Sequence, residues 1–241
     1  MSQLKDRVIF ITGGASGLGR AIALEAADSG AKVAIMDLHA ERLESTRDEV
    51  SRRAVDCLTL AADVSKEADI TGAIDQTVAR WSHIDTVINS AGVYYHGPIT
   101  TTPVDQFDRV YNVNARGLYL VCREAARVML PRKTGHIINI ASIAATHGVI
   151  GESVYSSSKW AVRGLGDTLA LELGPAGIRV TTVFPGGMDT TFWENDARKR
   201  VGQFDTSRFL RAEHVAQAIV QIASLPPQVV VKEALVYPPG R

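Results

Sequence analysis

The chain has 241 residues, 46% of them hydrophobic, and balances 26 Lys+Arg against 26 Asp+Glu. Zero formal net charge excludes a nucleic-acid surface or an acidic tail, and gives little electrostatic protection against self-association. No apolar stretch reaches the roughly 18 residues of a membrane span, and the charged N-terminus is not a secretory signal, so the expected location is the cytoplasm.

Residues 8–11, Val-Ile-Phe-Ile, form a continuous apolar run, the pattern of a strand buried on both faces. A glycine-rich segment over 12–19 opens a helix to about Ser29, closed by Gly30. Residues 32–36 form the second strand, ending at Asp37, and a charged helix runs from about 39 to 53. Residues 56–61 are the third strand, followed by Asp63, with Ser65 expected to cap a helix to about Trp81. Residues 86–88 are the fourth, running into Asn89-Ser90-Ala91-Gly92. Pro103 opens a helical stretch through Asn114 to about Leu130. Residues 135–140 are the fifth strand, ending at Ser142, and a helix over 153–173 follows. Residues 178–183 are the sixth, broken by Pro185-Gly186; then come a helix over 212–223 and a last strand over 234–236.

This unbroken alternation predicts an α/β fold: a Rossmann-like, doubly wound, mainly parallel seven-stranded sheet with helices on both faces. No linker or repeat divides it, so 1–241 is expected to be one domain. Ligands of such sheets bind beyond the carboxyl ends of the strands. Gly13, Asp37, Asp63, Asn89, Ser142 and Pro185 all follow strands at that rim.

The glycines of 12–19 are spaced Gly-x-x-x-Gly-x-Gly, not Gly-x-Gly-x-x-Gly. A tight turn is the plain account. Glycines also let the backbone approach a pyrophosphate, which a helix N-terminus attracts, and the strand–helix context favours a dinucleotide. Asp37 is placed to accept bonds from an adenosine ribose and would repel a 2′-phosphate, which favours NAD over NADP. Arg20 and Arg42 are counter-signals, though both also read as solvated. Asp63-Val64 can meet an adenine edge, or Asp63 can cap the next turn. Asn89 to Gly92 reads as rim packing, a cofactor floor, or both.

Tyr155-Ser156-Ser157-Ser158-Lys159 places a phenol and an ammonium on one helix face. An ammonium favours the phenolate and lowers a pKa that is ordinarily about 10. Such a pair can move a proton to or from an alcohol or carbonyl oxygen; the plain account is a solvated helix face. Ser142 can hold a substrate oxygen or serve as a turn residue. Asn114 makes a structural hydrogen bond or holds a water. The six histidines are scattered without ligand spacing, so no metal is assigned; Cys57 and Cys122 read as small buried residues.

In combination these motifs resemble the short-chain dehydrogenase/reductase family from Val8 to about Thr190. The residues that carry the resemblance are Thr12-Gly13-x-x-x-Gly17-x-Gly19, Asn89-Ser90-Ala91-Gly92, Asn114, Ser142, Tyr155-x-x-x-Lys159, and Pro185-Gly186 with Thr190. Ser90 departs from the second asparagine frequent there, and a Pro-rich tail replaces the usual Asp-Gly-Gly turn. The resemblance implies Tyr155 as general acid/base, Lys159 lowering its pKa and holding the nicotinamide ribose, and Ser142 orienting the substrate oxygen. It implies a water kept by Asn114 in a proton relay. The implied cofactor contacts are Gly13, Ser16, Gly17, Leu18, Gly19, Asp37, Asp63, Val64, Asn89, Ala91, Gly92, Tyr155, Lys159, Pro185, Gly186, Met188 and Thr190.

Residues 187–211 read as a substrate lid, with Met188, Phe192, Trp193, Phe204 and Phe209 beside Arg198, Lys199 and Arg200. Its aromatics suggest a partly apolar pocket, closed on the other side by Tyr94 and Tyr95. The function so implied is NAD-dependent interconversion of a small-to-medium secondary alcohol and its ketone. The alternatives are an NADPH-dependent ketone or 3-oxoacyl-carrier-protein reductase and a non-catalytic dinucleotide-binding sensor or scaffold. A homodimer through the helices at about 103–131 and 153–173, or a homotetramer, is expected by the same resemblance.

Overall fold

All five residues of strand β1 (Val8–Thr12) are buried, as a run without polar alternation requires. Around it, a computed structural model describes residues 4–194, 196 and 206–239. Arg198, Lys199, Arg200 and Phe204 of the expected lid lie outside the described residues. After β1 come α1 (Gly17–Asp28), β2 (Lys32–Asp37), α2 (Ala40–Ser51), β3 (Cys57–Ala61), α3 (Glu67–Trp81) and β4 (Thr86–Asn89). Then follow α4 (Val104–Tyr111), α5 (Leu118–Met129), β5 (Gly135–Ile140), α6 (Ser153–Leu173) and β6 (Ile178–Pro185). The short strands β7 (Met188–Asp189) and β8 (Leu210–Arg211), helix α7 (Ala212–Ser224) and strand β9 (Glu233–Val236) complete the order.

Seven strands form one parallel sheet in the order β3-β2-β1-β4-β5-β6-β9, as the alternation predicted. The order reverses between β1 and β4, where crossovers leave to opposite faces and a crevice opens at the carboxyl rim. One face packs on α1 and α7 through Leu18, Ile22, Val215 and Ile219. The other packs on α3, α5 and α6 through Ile70, Ile74, Val121 and Val162. Among the described residues no helix is long and apolar enough to cross a membrane.

Three local expectations change. Ser65 does not cap α3. The Asp63 carboxylate instead accepts from Ser65 N at 2.8 Å and Ser65 Oγ at 2.7 Å, and the helix begins at Glu67. The helical stretch from Pro103 is interrupted by a π-helical turn at Asn112–Gly117. Pro185 closes β6 rather than breaking it. Thr182 N and Gly186 N donate toward β9, so the donor that Pro185 lacks would face the β5 side, where that strand has ended.

Candidate active site

The turn after β1 has room for glycine and little else. Gly13 has φ +69°, and a Cβ there would lie 2.8 Å from Ala91 Cα; a Cβ on Gly19 would collide with the Gly13 carbonyl oxygen. Helix α1 starts at Gly17, and Ser16, at its boundary, makes no side-chain capping bond. The N–H groups of that first turn are therefore left for an anion. Thr190 lies over the turn, with its Cβ 3.6 Å from where a Gly17 methyl would sit.

Asp37 ends β2 with its carboxylate fixed by two backbone donors: Ala15 N to Oδ2 and His39 N to Oδ1, both 3.1 Å. Arg20 is partly exposed, as expected, but it is also engaged. Its guanidinium forks onto Glu49, with Nε 3.1 Å from Oε1, and Nη2 bonds the second oxygen. Arg42 is exposed, as expected. Thr12 Oγ1 accepts from Ala91 N at 3.1 Å and so ties β1 to the loop after β4. The crevice there is lined by Thr12, Val64, Asn89, Ala91, Val113 and Gly117. Of the two accounts of Asp63, the structure places its carboxylate in the capping turn, while Val64 lines the crevice. The Asn89 amide turns inward, donating to Asn139 Oδ1 at 2.9 Å.

Asn114 sits in the π turn, and its side chain is a clamp. Oδ1 accepts from Val93 N at 2.8 Å, while Nδ2 donates to Val93 O at 2.9 Å and Ser158 Oγ at 3.1 Å. It thereby locks the loop after β4 to helix α6, which is the structural account of this residue.

Helix α6 carries Tyr155 and Lys159 inward, 6% and 5% exposed. Lys159 Nζ donates to Ile140 O at 2.9 Å and stands 5.8 Å from the Tyr155 ring centroid. Burial pulls the amine down to about 8. The same burial pushes the Tyr155 phenol above its ordinary range, a hydrogen bond with Ser142 pulls it back, and the Glu152 carboxylate pushes it up again. Lowering of this pKa by the lysine does not win here, because desolvation of a phenolate outweighs a charge beyond the ring. Ser142 Oγ, at the end of β5, also accepts from Ala144 N at 3.1 Å, which fixes its turn.

Pro185 and Gly186 lead from β6 into β7, where Met188 pairs with Leu210 of β8. The structure thus gathers the glycine turn, Asp37, Val64, Ala91, Gly92, Ser142, Tyr155, Lys159, Gly186, Met188 and Thr190 around one rim. Two residues were missed in the sequence. Glu152 is buried, and its Oε1 accepts from Tyr94 OH at 2.6 Å across 58 residues of chain. Thr12 was read only as part of a motif. A lone glutamate ahead of a helix gave no signal.

Residues 7–201 match the family described as short chain dehydrogenase, and the chain belongs to that family. It is 41% identical over 197 residues to 2-(R)-hydroxypropyl-CoM dehydrogenase of Xanthobacter autotrophicus, covering 79% of each chain. It is 35% identical over 201 residues to levodione reductase of Leifsonia aquatica, covering 82% of this chain and 75% of that one. The crystal structure of levodione reductase superposes with a TM-score of 0.90 at 31% identity, over 97% of both chains. NAD+-bound xylitol dehydrogenase gives 0.88 at 26% identity, covering 98% of this chain and 99% of that one. A metagenomic short-chain oxidoreductase in complex with NADP gives 0.86 at 28%, covering 100% of both.

Proposed function

We propose that this oxidoreductase interconverts a small-to-medium secondary alcohol and its ketone with NAD(H), using Tyr155 as general acid/base. The carrying observation is the buried Tyr155 phenol, one helical turn from buried Lys159 and close enough to Ser142 for that hydroxyl to lower its pKa, on the rim that also holds the glycine turn. The dinucleotide fits the residues present. The turn has no room for a Cβ at Gly13, Gly14 or Gly19, the α1 N-terminus is uncapped by a side chain, and a fixed carboxylate ends β2. Gly13, Ser16, Gly17, Leu18 and Gly19 hold its pyrophosphate, Asp37 its adenosine ribose, and Asp63 and Val64 the adenine side. Asn89, Ala91, Gly92, Pro185, Gly186, Met188 and Thr190 border the nicotinamide half. When bound, the nicotinamide supplies the hydride acceptor or donor.

The protein's own part is to place and move a proton. The Ser142 hydroxyl positions the substrate oxygen against the phenol. In oxidation Tyr155 Oη takes the carbinol proton; in reduction it gives that proton to the carbonyl oxygen. A buried phenolate is costly, and the Lys159 ammonium and Ser142 hydroxyl offset that cost while it exists. Lys159 also holds the nicotinamide ribose, and Asn114 keeps the helix and loop in register around a water relay. The described ends of the expected lid, residues 187–194 and 206–211, border the site of one catalytic domain. Exposed Val104, Phe107, Tyr119 and Trp160 on α4, α5 and α6 support a homo-oligomer built on those helices.

NAD is favoured because Asp37 would repel a 2′-phosphate, and because Arg20, one of the two counter-signals, is tied to Glu49, while Arg42 is exposed. Cofactor titration tests this. The expected kcat/KM for NAD(H) exceeds that for NADP(H) at least about tenfold, with the gap closing in Asp37→Ala. A clear NADP(H) preference in the unaltered protein would sink the Asp37 argument and leave an NADPH-dependent reductase.

A further inference from the structure

Among the described residues, four aromatic rings cluster on the Tyr155 ring. Tyr94 meets Tyr155 edge-on at 4.9 Å between centroids, and meets Trp193 edge-on at 4.7 Å. Phe192 lies 5.8 Å from Tyr94, 6.0 Å from Tyr155 and 5.2 Å from Trp193. Phe209 backs Trp193 at 5.8 Å. Beneath these rings Tyr155 is 6% exposed, so a substrate oxygen that meets the phenol lies against them.

The rings are not equally fixed. Tyr94 is held at its hydroxyl by Glu152, at its carbonyl by Arg109 Nη2 at 3.0 Å, and through neighbouring Val93 by the double bond to Asn114. Phe192 sits in a three-residue turn, Thr191–Trp193, tied to its own segment by Phe192 N to Thr190 Oγ1 at 3.3 Å and Trp193 Nε1 to Met188 O at 2.7 Å. Tyr94, held from three sides, is therefore the fixed wall against which Phe192 packs.

Resting on the alcohol–ketone reading above, we propose that Tyr94 is the specificity-determining residue of this pocket and that it selects uncharged aryl carbinols and ketones. A substrate ring that takes the place of Phe192 regains the edge-to-face contacts with Tyr94 and Trp193. An alkyl chain regains burial but not that geometry. The Glu152 carboxylate, 7% exposed, lies one helical turn before Tyr155 and opposes a substrate that carries an anion beside the carbinol.

The test is kcat/KM with NAD for 1-phenylethanol, 2-octanol of the same carbon count, and 1-(4-carboxyphenyl)ethanol. The unaltered protein is expected to favour the phenyl carbinol over the linear one about tenfold, the product of two ring contacts each worth a few-fold. It is expected to disfavour the carboxylated analogue. Tyr94→Phe keeps the ring and should keep the ratio, whereas Tyr94→Leu removes one of the two contacts and should cut the ratio to about threefold, the Trp193 contact remaining. The proposal is overturned by equal or better turnover of 2-octanol or of the carboxylated carbinol, or by a ratio that survives Tyr94→Leu in a protein folded by circular dichroism. If all three carbinols and their ketones are inert with both cofactors, the alcohol–ketone reading itself fails and takes the proposal with it. Turnover with the wrong preference removes the proposal alone.

Discussion

At the amino end of the strands, His136 is buried with its Nε2 2.8 Å from Thr181 Oγ1, and Asp85 accepts from Val8 N at 2.8 Å beside His83 and Arg132. At the carboxyl end, Tyr155 and Lys159 are buried nearly as deeply. Desolvation acts on both ends alike: it pulls His136 down to about 3 and Lys159 down to about 8, and pushes the Tyr155 phenol up. A perturbed titratable group is therefore not by itself a mark of function. The difference lies in the surroundings. His136 is enclosed by its own sheet, with Arg179 and Arg7 adding to the shift. Tyr155 faces the short turn Thr191–Trp193 and stands on the rim that carries the glycine turn.

The largest expected effect is at Tyr155. Tyr155→Phe should lower turnover by about a hundred-fold to ten-thousand-fold while nicotinamide-cofactor binding, followed by fluorescence titration, persists. Retention of more than a tenth of the activity would make the phenol as inert as His136 and erase the contrast. Next is the glycine turn. Gly19→Ala sets a methyl against the Gly13 carbonyl, which should cost about 1–3 kcal/mol in denaturant unfolding and weaken cofactor binding about tenfold or more. Unchanged binding would show that the turn is only a turn.

The smallest effect belongs to the amino end and runs through pH. Folded His136 stays neutral down to about 3, whereas its unfolded imidazole takes a proton below about 6.5. Between those values the unfolded chain binds more protons, so stability is lost as pH falls, at most about 1.4 kcal/mol per pH unit. His136→Gln should remove that slope, narrowing the pH 7 to pH 5 loss of urea stability by about 2 kcal/mol, with turnover near neutrality unchanged. Equal losses in the two proteins, or a fall in turnover, would show that the amino end is not the passive partner.

Much of the fold was legible because its signals are local. Apolar runs marked the strands, and glycine spacing with rim carboxylates marked the ligand edge. What was hidden depends on contacts between distant segments. The Arg20 fork on Glu49 spans 29 residues, so a helix-turn arginine read as solvated. Asp63, not Ser65, holds the turn into α3, because either residue type suits such a position and only the backbone geometry chooses between them. The clamp role of Asn114 needs Val93 and Ser158 in place, 21 and 44 residues away. The low pKa expected for Tyr155 failed because a residue pattern does not show how deeply a helix face is buried.

The wide turn at Asn112–Gly117 leaves a numerical trace in the helices around it. Val110 and Leu118 are both buried, eight positions apart. In a regular helix eight residues turn by about 800°, which would set those side chains about 80° from each other, whereas seven residues bring them to within about 20°. A π turn absorbs one surplus residue, so α4 and α5 keep a common buried stripe across it. Loss of a single residue between 112 and 117 would thus yield a smoother helix with the same stripe, without the outward step that carries Asn114 to Val93 and Ser158. Such a shortened chain would lose the tie by which Asn114 joins the loop after β4 to α6.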